Sequence, residues 1–286
     1  MTVRALTRFA LPASALLVSC GDGLGGFLIS NEQEVEMGAG VDTQLRAEYR
    51  LAAAEDPAAQ WLVQFITPLV TASTEFRNPA EFGNYKVAVI VDNELVNAFA
   101  APGGYTYIST GLILQSTTCA EIAGVMGHEL AHVTERHSVK TIEEAYAAQV
   151  ISEWFLGEGL ANDAVQTIYN VVANTQFSQD HEAESDSVGL RISFNAGYNP
   201  YGLADFFTKL LALQGNSDIP EFLSSHPATA DRIRDVSAEI ERRYGDTVNP
   251  NTTQTYDCIG TNLTLEQLKA HIQSGNIAIQ PGTGGT

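Results

Sequence analysis

Val125-Met126-Gly127-His128-Glu129-Leu130-Ala131-His132-Val133 is the stretch from which the rest of this chain is read. Thr118, followed three residues later by Glu121, is a capping-box signature for a helix start. Ile122, Val125, Met126, Leu130 and Val133 then recur at helical spacing over roughly 118–137. Residues i and i+4 of a helix lie one above the other, so His128 and His132 share a face. Two neutral imidazoles so placed can bind one Zn²⁺, and Glu129 can reach a water at the metal as general base. The plain alternative is a helix carrying two surface histidines.

A catalytic zinc needs a third protein ligand. His137 is nearest, but on a continuous helix five residues turn it about 140° away from His132. The metzincin spacing is absent, because Glu135 and Ser138 stand where it needs Gly and His. The segment Asp180-His181-Glu182-Ala183-Glu184-Ser185-Asp186 serves better. Glu182 and Asp186 are i and i+4 on an expected helix. Glu182 is thus the candidate ligand and Asp186 the acceptor for a ligand histidine, while Glu184 points off that face and reads as solvated.

Glu-x-x-x-Asp some fifty residues after His-Glu-x-x-His resembles the gluzincin zinc peptidases. More narrowly, the chain resembles the family of the bacterial heat-shock protease HtpX and the CAAX prenyl endopeptidases. Further matches are Asn97-Ala98-Phe99-Ala100-Ala101-Pro102-Gly103-Gly104, Gly111-Leu112-Ile113, Arg136-His137, and His226-Pro227 with Arg232-Ile233, all within about residues 30–245. The resemblance implies a zincin-like domain with one zinc per chain. It also implies a substrate-binding edge strand at Asn97, Ala98, Phe99 and Ala100. His226 and Arg232 are expected near the cleft, as oxyanion stabilisers or, for His226, as an inhibitory fourth ligand.

Residues 1–19 read as a lipoprotein signal peptide. Arg4 and Arg8 precede a short apolar run, and Leu17-Val18-Ser19-Cys20 resembles a lipobox with lipid attached to Cys20. An ordinary secretory signal or a short anchor is the alternative. Gly21 after the Cys favours the outer membrane, so a lipid-anchored periplasmic protein is expected, on a Gly-rich tether over 20–29. No later segment offers eighteen uncharged apolar residues. The net charge of −19 argues against nucleic acid and against an anionic membrane face. Cys119 and Cys258 remain for a disulfide in an oxidising compartment, or for two separate thiols.

The remaining pattern is α+β and mostly helical. Helices are expected from a start within Ile29–Val35 to about Leu51, at about Pro57–Ser73, from Thr141 to about Gln149, from Glu182 to about Asn195, over Leu203–Leu213 and over Pro227–Tyr244. The last of these would leave His226 at an exposed helix start. Strands are expected at 86–91, 96–100 and 105–109, the last two joined as a hairpin by Pro102-Gly103-Gly104. Residues 151–178 read as an excursion able to act as a lid, with Gly157 and Gly159 as its flexible points. A zinc metallopeptidase domain over 30–245 precedes an extension, 246–286, expected to pack loosely apart from a short helix opened by Thr264 and Gln267. The family suggests misfolded or misassembled envelope polypeptides as substrate. Two other readings stay open: a chaperone or assembly factor with a latent zinc site, and a lipoprotein acting through its acidic surface and tail.

Overall fold

The computed structural model describes residues 28–156, 160, 162–174, 176–213, 221–227, 229–245, 247–248 and 258–284. The expected signal segment, Cys20, most of the tether, Gly157 and Gly159 lie outside the described residues.

Helix α1 (Asn31–Glu48) opens on a capping box in which Ser30 and Gln33 bond each other's backbone. It is followed by α2 (Pro57–Ser73), capped by Asp56 with Pro at its first turn. The expected stripe of Trp61, Leu62, Phe65 and Leu69 is wholly buried, each side chain worth about 1.5–3 kcal/mol of transfer free energy. Strands β1 (Lys86–Ile90), β2 (Ala98–Ala101) and β3 (Tyr105–Ser109) form a sheet of order β1-β3-β2. β1 runs parallel to β3, and β2 pairs antiparallel with β3, from Ala98↔Ile108 to Ala101↔Tyr105.

After α3 (Thr110–Gln115) comes α4 (Cys119–Thr134), every residue of which is buried. Thr118 caps α4 by accepting from the Glu121 amide, but the expected reciprocal bond is not formed. The Glu121 carboxylate instead accepts from Thr117 N at 2.8 Å and pairs with Lys209. The helix also stops earlier than expected. Arg136 adopts a left-handed conformation (φ 57°), and α5 (His137–Ala145) restarts in a new direction. Left-handed backbone is unfavourable for a side-chain-bearing residue. Here it is held by Arg136 Nε on Glu34 Oε2 at 2.8 Å and Nη2 on Ile29 O at 2.7 Å.

The excursion holds α6 (Ala148–Trp154) and α7 (Asn162–Asn174), and α7 docks in the α1 core through Ala164 and Ile168. Next come α8 (Gln179–Asn195), α9 (Gly202–Leu213), α10 (Glu221–Ser225), α11 (Ala230–Tyr244) and α12 (Leu265–Gln273). Helix α4 runs through the middle, with α8 and α9 close against it at glycines. A Cβ on Gly189 would lie 2.7 Å from His128 N, and one on Gly127 2.8 Å from Gly189 O. This contact brings the acids of α8 to the histidines of α4.

The extension departs from the loose packing expected of it. Cys258 is joined to Cys119 by a disulfide across a Cα–Cα distance of 5.3 Å. Leu268 and Ile272 are buried, and His271 Nε2 and Ala278 N both reach Asp56, at 3.0 and 2.7 Å. Ala53 N donates to Ala278 O and Gln280 N to Leu51 O, both at 2.8 Å. Residues 51–52 themselves bridge to β1 through Leu51↔Ile90, so the segment at 278–280 lies outermost on that side of the sheet. The Thr, Asn and Gly composition conceals this, since part of the docking is made by backbone. No described helix is long and apolar enough to cross a membrane.

Candidate metal centre

His128, His132, Glu182 and His226 converge, all buried, each offering one ligand atom within 4.8 Å of the others. Helix periodicity places the histidine pair, with His128 Nε2 and His132 Nε2 3.0 Å apart. The Gly127–Gly189 approach delivers Glu182, whose Oε1 stands 3.4 Å from His132 Nε2. His226 Nδ1 is 3.3 Å from His128 Nε2 and 2.9 Å from Glu182 Oε1.

These spacings suit a cation. A tetrahedral zinc with ligands at about 2.0–2.1 Å has ligand atoms about 3.3 Å apart, and nitrogen with carboxylate oxygen is a zinc donor set. His128 Nδ1 faces Asp186 Oδ1 at 2.9 Å. A carboxylate there favours the tautomer with the proton on Nδ1, which leaves the Nε2 lone pair for the cluster. Burial holds His132 well below the ordinary histidine pKa, which keeps it neutral.

Glu129 lies at the same centre, its Oε1 buried without a hydrogen-bond partner among the described residues and 3.4 Å from His226 Nε2. Burial raises its pKa, against the pull of His226 and His128. A raised carboxylate is suited to exchanging a proton near neutrality.

Two expected placements change. His226 is not at an exposed helix start. Thr229, not Pro227, is the residue at which α11 is capped, and His226 follows α10 and is 1% exposed. Burial disfavours its charge, yet Glu182 and Glu129 outweigh that and raise its pKa. Arg232 does reach the site, but its fork is committed. Nε and Nη2 clasp Asp186 at 2.6 and 2.8 Å, and Nη1 meets Pro227 O at 3.0 Å and Glu182 Oε2 at 2.7 Å. An arginine so engaged positions carboxylates, and of its five N–H donors only one, on Nη2, is left uncommitted.

The sequence reading set His137 aside as a ligand, took Glu184 as solvated and did not single out Phe177. His137 is fully buried, its Nδ1 2.9 Å from His132 Nδ1. Glu184 is half-exposed, yet it accepts from His137 and pairs with Lys140 rather than standing free in solvent. Phe177 stacks on His132 with centroids 4.1 Å apart. Only the break at Arg136 puts His137 there, and no glycine announces that break.

At the candidate edge strand, Phe99 stacks on Tyr107 at 5.0 Å, and Ala98 is buried. Asn97 O accepts from Ser109 N, Asn97 N donates to Ser109 Oγ, and Asn97 Oδ1 is buried without a partner among the described residues. Their side chains are largely occupied by packing. What β2 offers is the backbone of its outer side, where the Ala100 amide helps hold down the Glu129 pKa.

The sequence pattern of peptidase family M48 matches residues 57–240. The chain is 30% identical over 243 residues to the β-barrel assembly-enhancing protease of Yersinia pestis, covering 80% of this chain and 48% of that one. It is 27% identical over 224 residues to the protein of the same name from Escherichia coli K12, covering 73% and 44%. To the metalloprotease LoiP of E. coli K12 it is 32% identical over 158 residues, covering 54% and 61%. The chain spans about half the length of the first two relatives. HtpX-like and CAAX-like naming thus gives way to a wider grouping: the chain belongs to peptidase family M48 and is a zinc metalloprotease of that family.

Proposed function

We propose that this chain is an endopeptidase of the bacterial envelope that cuts unfolded or misassembled polypeptides, with His128, His132 and Glu182 holding one Zn²⁺. The observation that carries the reading is the convergence of those three side chains with a buried Glu129 carboxylate whose Oε1 has no hydrogen-bond partner among the described residues. A structural zinc has no use for that base.

When bound, zinc supplies a Lewis acid that polarises a carbonyl and lowers the pKa of water. Glu129 Oε1 takes the proton of the attacking water and returns it to the leaving amine. Asp186 and Arg232 hold His128 and Glu182 in place. The substrate lies extended against the free edge of β2 near Asn97, Ala98, Phe99 and Ala100, bonded by the backbone groups there that do not pair with β3.

The acidic balance and the names of the relatives support an envelope substrate engaged in outer-membrane assembly, reached from a lipid anchor at Cys20. His226 within the ligand cluster favours a resting state in which it fills the fourth position, so that cleavage awaits its withdrawal. The same observation keeps the chaperone-like reading in play.

Casein cleavage by the lipid-free chain tests the proposal, against Glu129→Gln and against chelated enzyme before and after zinc is restored. Activity lost in both and regained with zinc is expected. One zinc per chain with no cleavage, even in His226→Ala, would favour the chaperone.

A further inference from the structure

The two histidines of α4 are backed differently. His128 Nδ1 meets a carboxylate directly, Asp186 at 2.9 Å. His132 Nδ1 meets another imidazole, His137 Nδ1 at 2.9 Å, and His137 Nε2 in turn meets Glu184 Oε2 at 2.9 Å.

Counting protons fixes the direction of this chain. For His132 Nε2 to offer a lone pair to the cluster, its proton must sit on Nδ1. That N–H donates to His137 Nδ1, so His137 carries its own proton on Nε2 and donates it to Glu184. The opposite order would put a proton on His132 Nε2, aimed at His128 Nε2 3.0 Å away, and end ligation. An anionic acceptor at the outer end selects the useful order.

We propose that His137 and Glu184 are positioning residues for the metal centre, a carboxylate relayed through a histidine that locks His132 in its ligating tautomer and orientation. The proposal rests on reading His132 as a zinc ligand.

The surroundings fit the role. His137 stacks on His181 with centroids 4.4 Å apart and planes 17° from parallel, which fixes its ring. Ser185 Oγ stands 3.0 Å from its Nδ1, and Lys140 Nζ 3.4 Å from Glu184 Oε2. The left-handed Arg136 has a purpose here, since an unbroken helix would carry His137 about 140° away from His132. The Glu34 clasp on Arg136 is therefore also part of the support.

Zinc affinity, measured by competition with a chromophoric chelator, and the visible spectrum of the Co²⁺-substituted protein are the readouts. His137→Phe keeps a ring but no donor or acceptor, and Glu184→Gln removes the anion at a half-exposed position where folding is not at risk. Outer partners of zinc histidines typically set about 10–100-fold in affinity. His137→Phe should lose about tenfold or more, Glu184→Gln several-fold, and both should alter the cobalt bands. Wild-type affinity and spectrum in both variants would overturn the relay. If His137→Phe fails to fold, Glu184→Gln alone decides. If His132→Ala binds zinc as tightly as wild type, the ligand reading itself falls, and the relay with it.

Discussion

His226 Nδ1 lies 2.9 Å from Glu182 Oε1, so the histidine that follows α10 and the acid of α8 occupy a single polar cluster with His128 and His132. Removing His226 separates its two candidate roles. If it fills the fourth position, His226→Ala should cleave casein several-fold faster while binding zinc more weakly. A drop in kcat would assign it to oxyanion stabilisation instead.

Glu129→Gln preserves size and burial but removes the base. A fall in kcat of about 10²–10⁴-fold is expected, with one zinc per chain retained by metal analysis. Its unfolding midpoint should not fall, because the variant relieves a buried carboxylate whose pKa is raised by desolvation. Retained activity would move the general base elsewhere.

Arg232 clasps Asp186 and touches Glu182, both buried. Arg232→Met leaves those carboxylates uncompensated, a change that costs about 3–5 kcal/mol. Denaturant unfolding of the apoprotein should show it, together with weakened zinc binding. Arg232→Lys should recover little, since a point charge cannot replace a bidentate fork. A variant with wild-type stability and affinity but reduced kcat would assign Arg232 to the oxyanion rather than to positioning.

Gly189→Ala places a methyl 2.7 Å from His128 N, where only backbone could yield. The expected result is a spread between α8 and α4, seen as zinc affinity lost more than helix content by circular dichroism. Normal affinity would show that the contact has slack.

Much of this was legible in the residues. Helix α2 and strand β3 fall at their expected bounds because a proline after an N-cap and a tight Pro-Gly-Gly turn are local signals. His128, His132, Glu182 and Asp186 obey helical spacing, so the cluster follows once two helices touch. His226 does not, because its burial is decided by which of several residues caps α11. His137 was hidden by a conformation that Arg136 adopts only through partners at Glu34 and Ile29, more than a hundred residues away. The extension was misread because its disulfide, the burial of Leu268 and Ile272 and its backbone bonds at 278–280 leave little trace in composition.

The Cys119–Cys258 bond and the backbone bonds at 278–280 should make the extension protective. Cys258→Ser removes closure of a long loop and should cost about 2–5 kcal/mol, read by thermal unfolding under oxidising conditions. Deleting residues 246–286 should lower stability further while cleavage survives at a temperature where the shortened chain is folded. Loss of cleavage in that folded chain would give the extension a part in the activity itself.

Ala52 bridges Ile279, and Gly284 N donates to Arg46 O at 3.0 Å, so segments more than two hundred residues apart in the chain are neighbours in space. Contacts of such separation form late and slow folding, since the ends of a long loop must meet before any bond rewards them. During synthesis or export, the helix bearing His128 and His132 emerges well before the residues that tie down its first turn. A domain built this way completes its scaffold only after residues 278–284 have met the segment at 46–53.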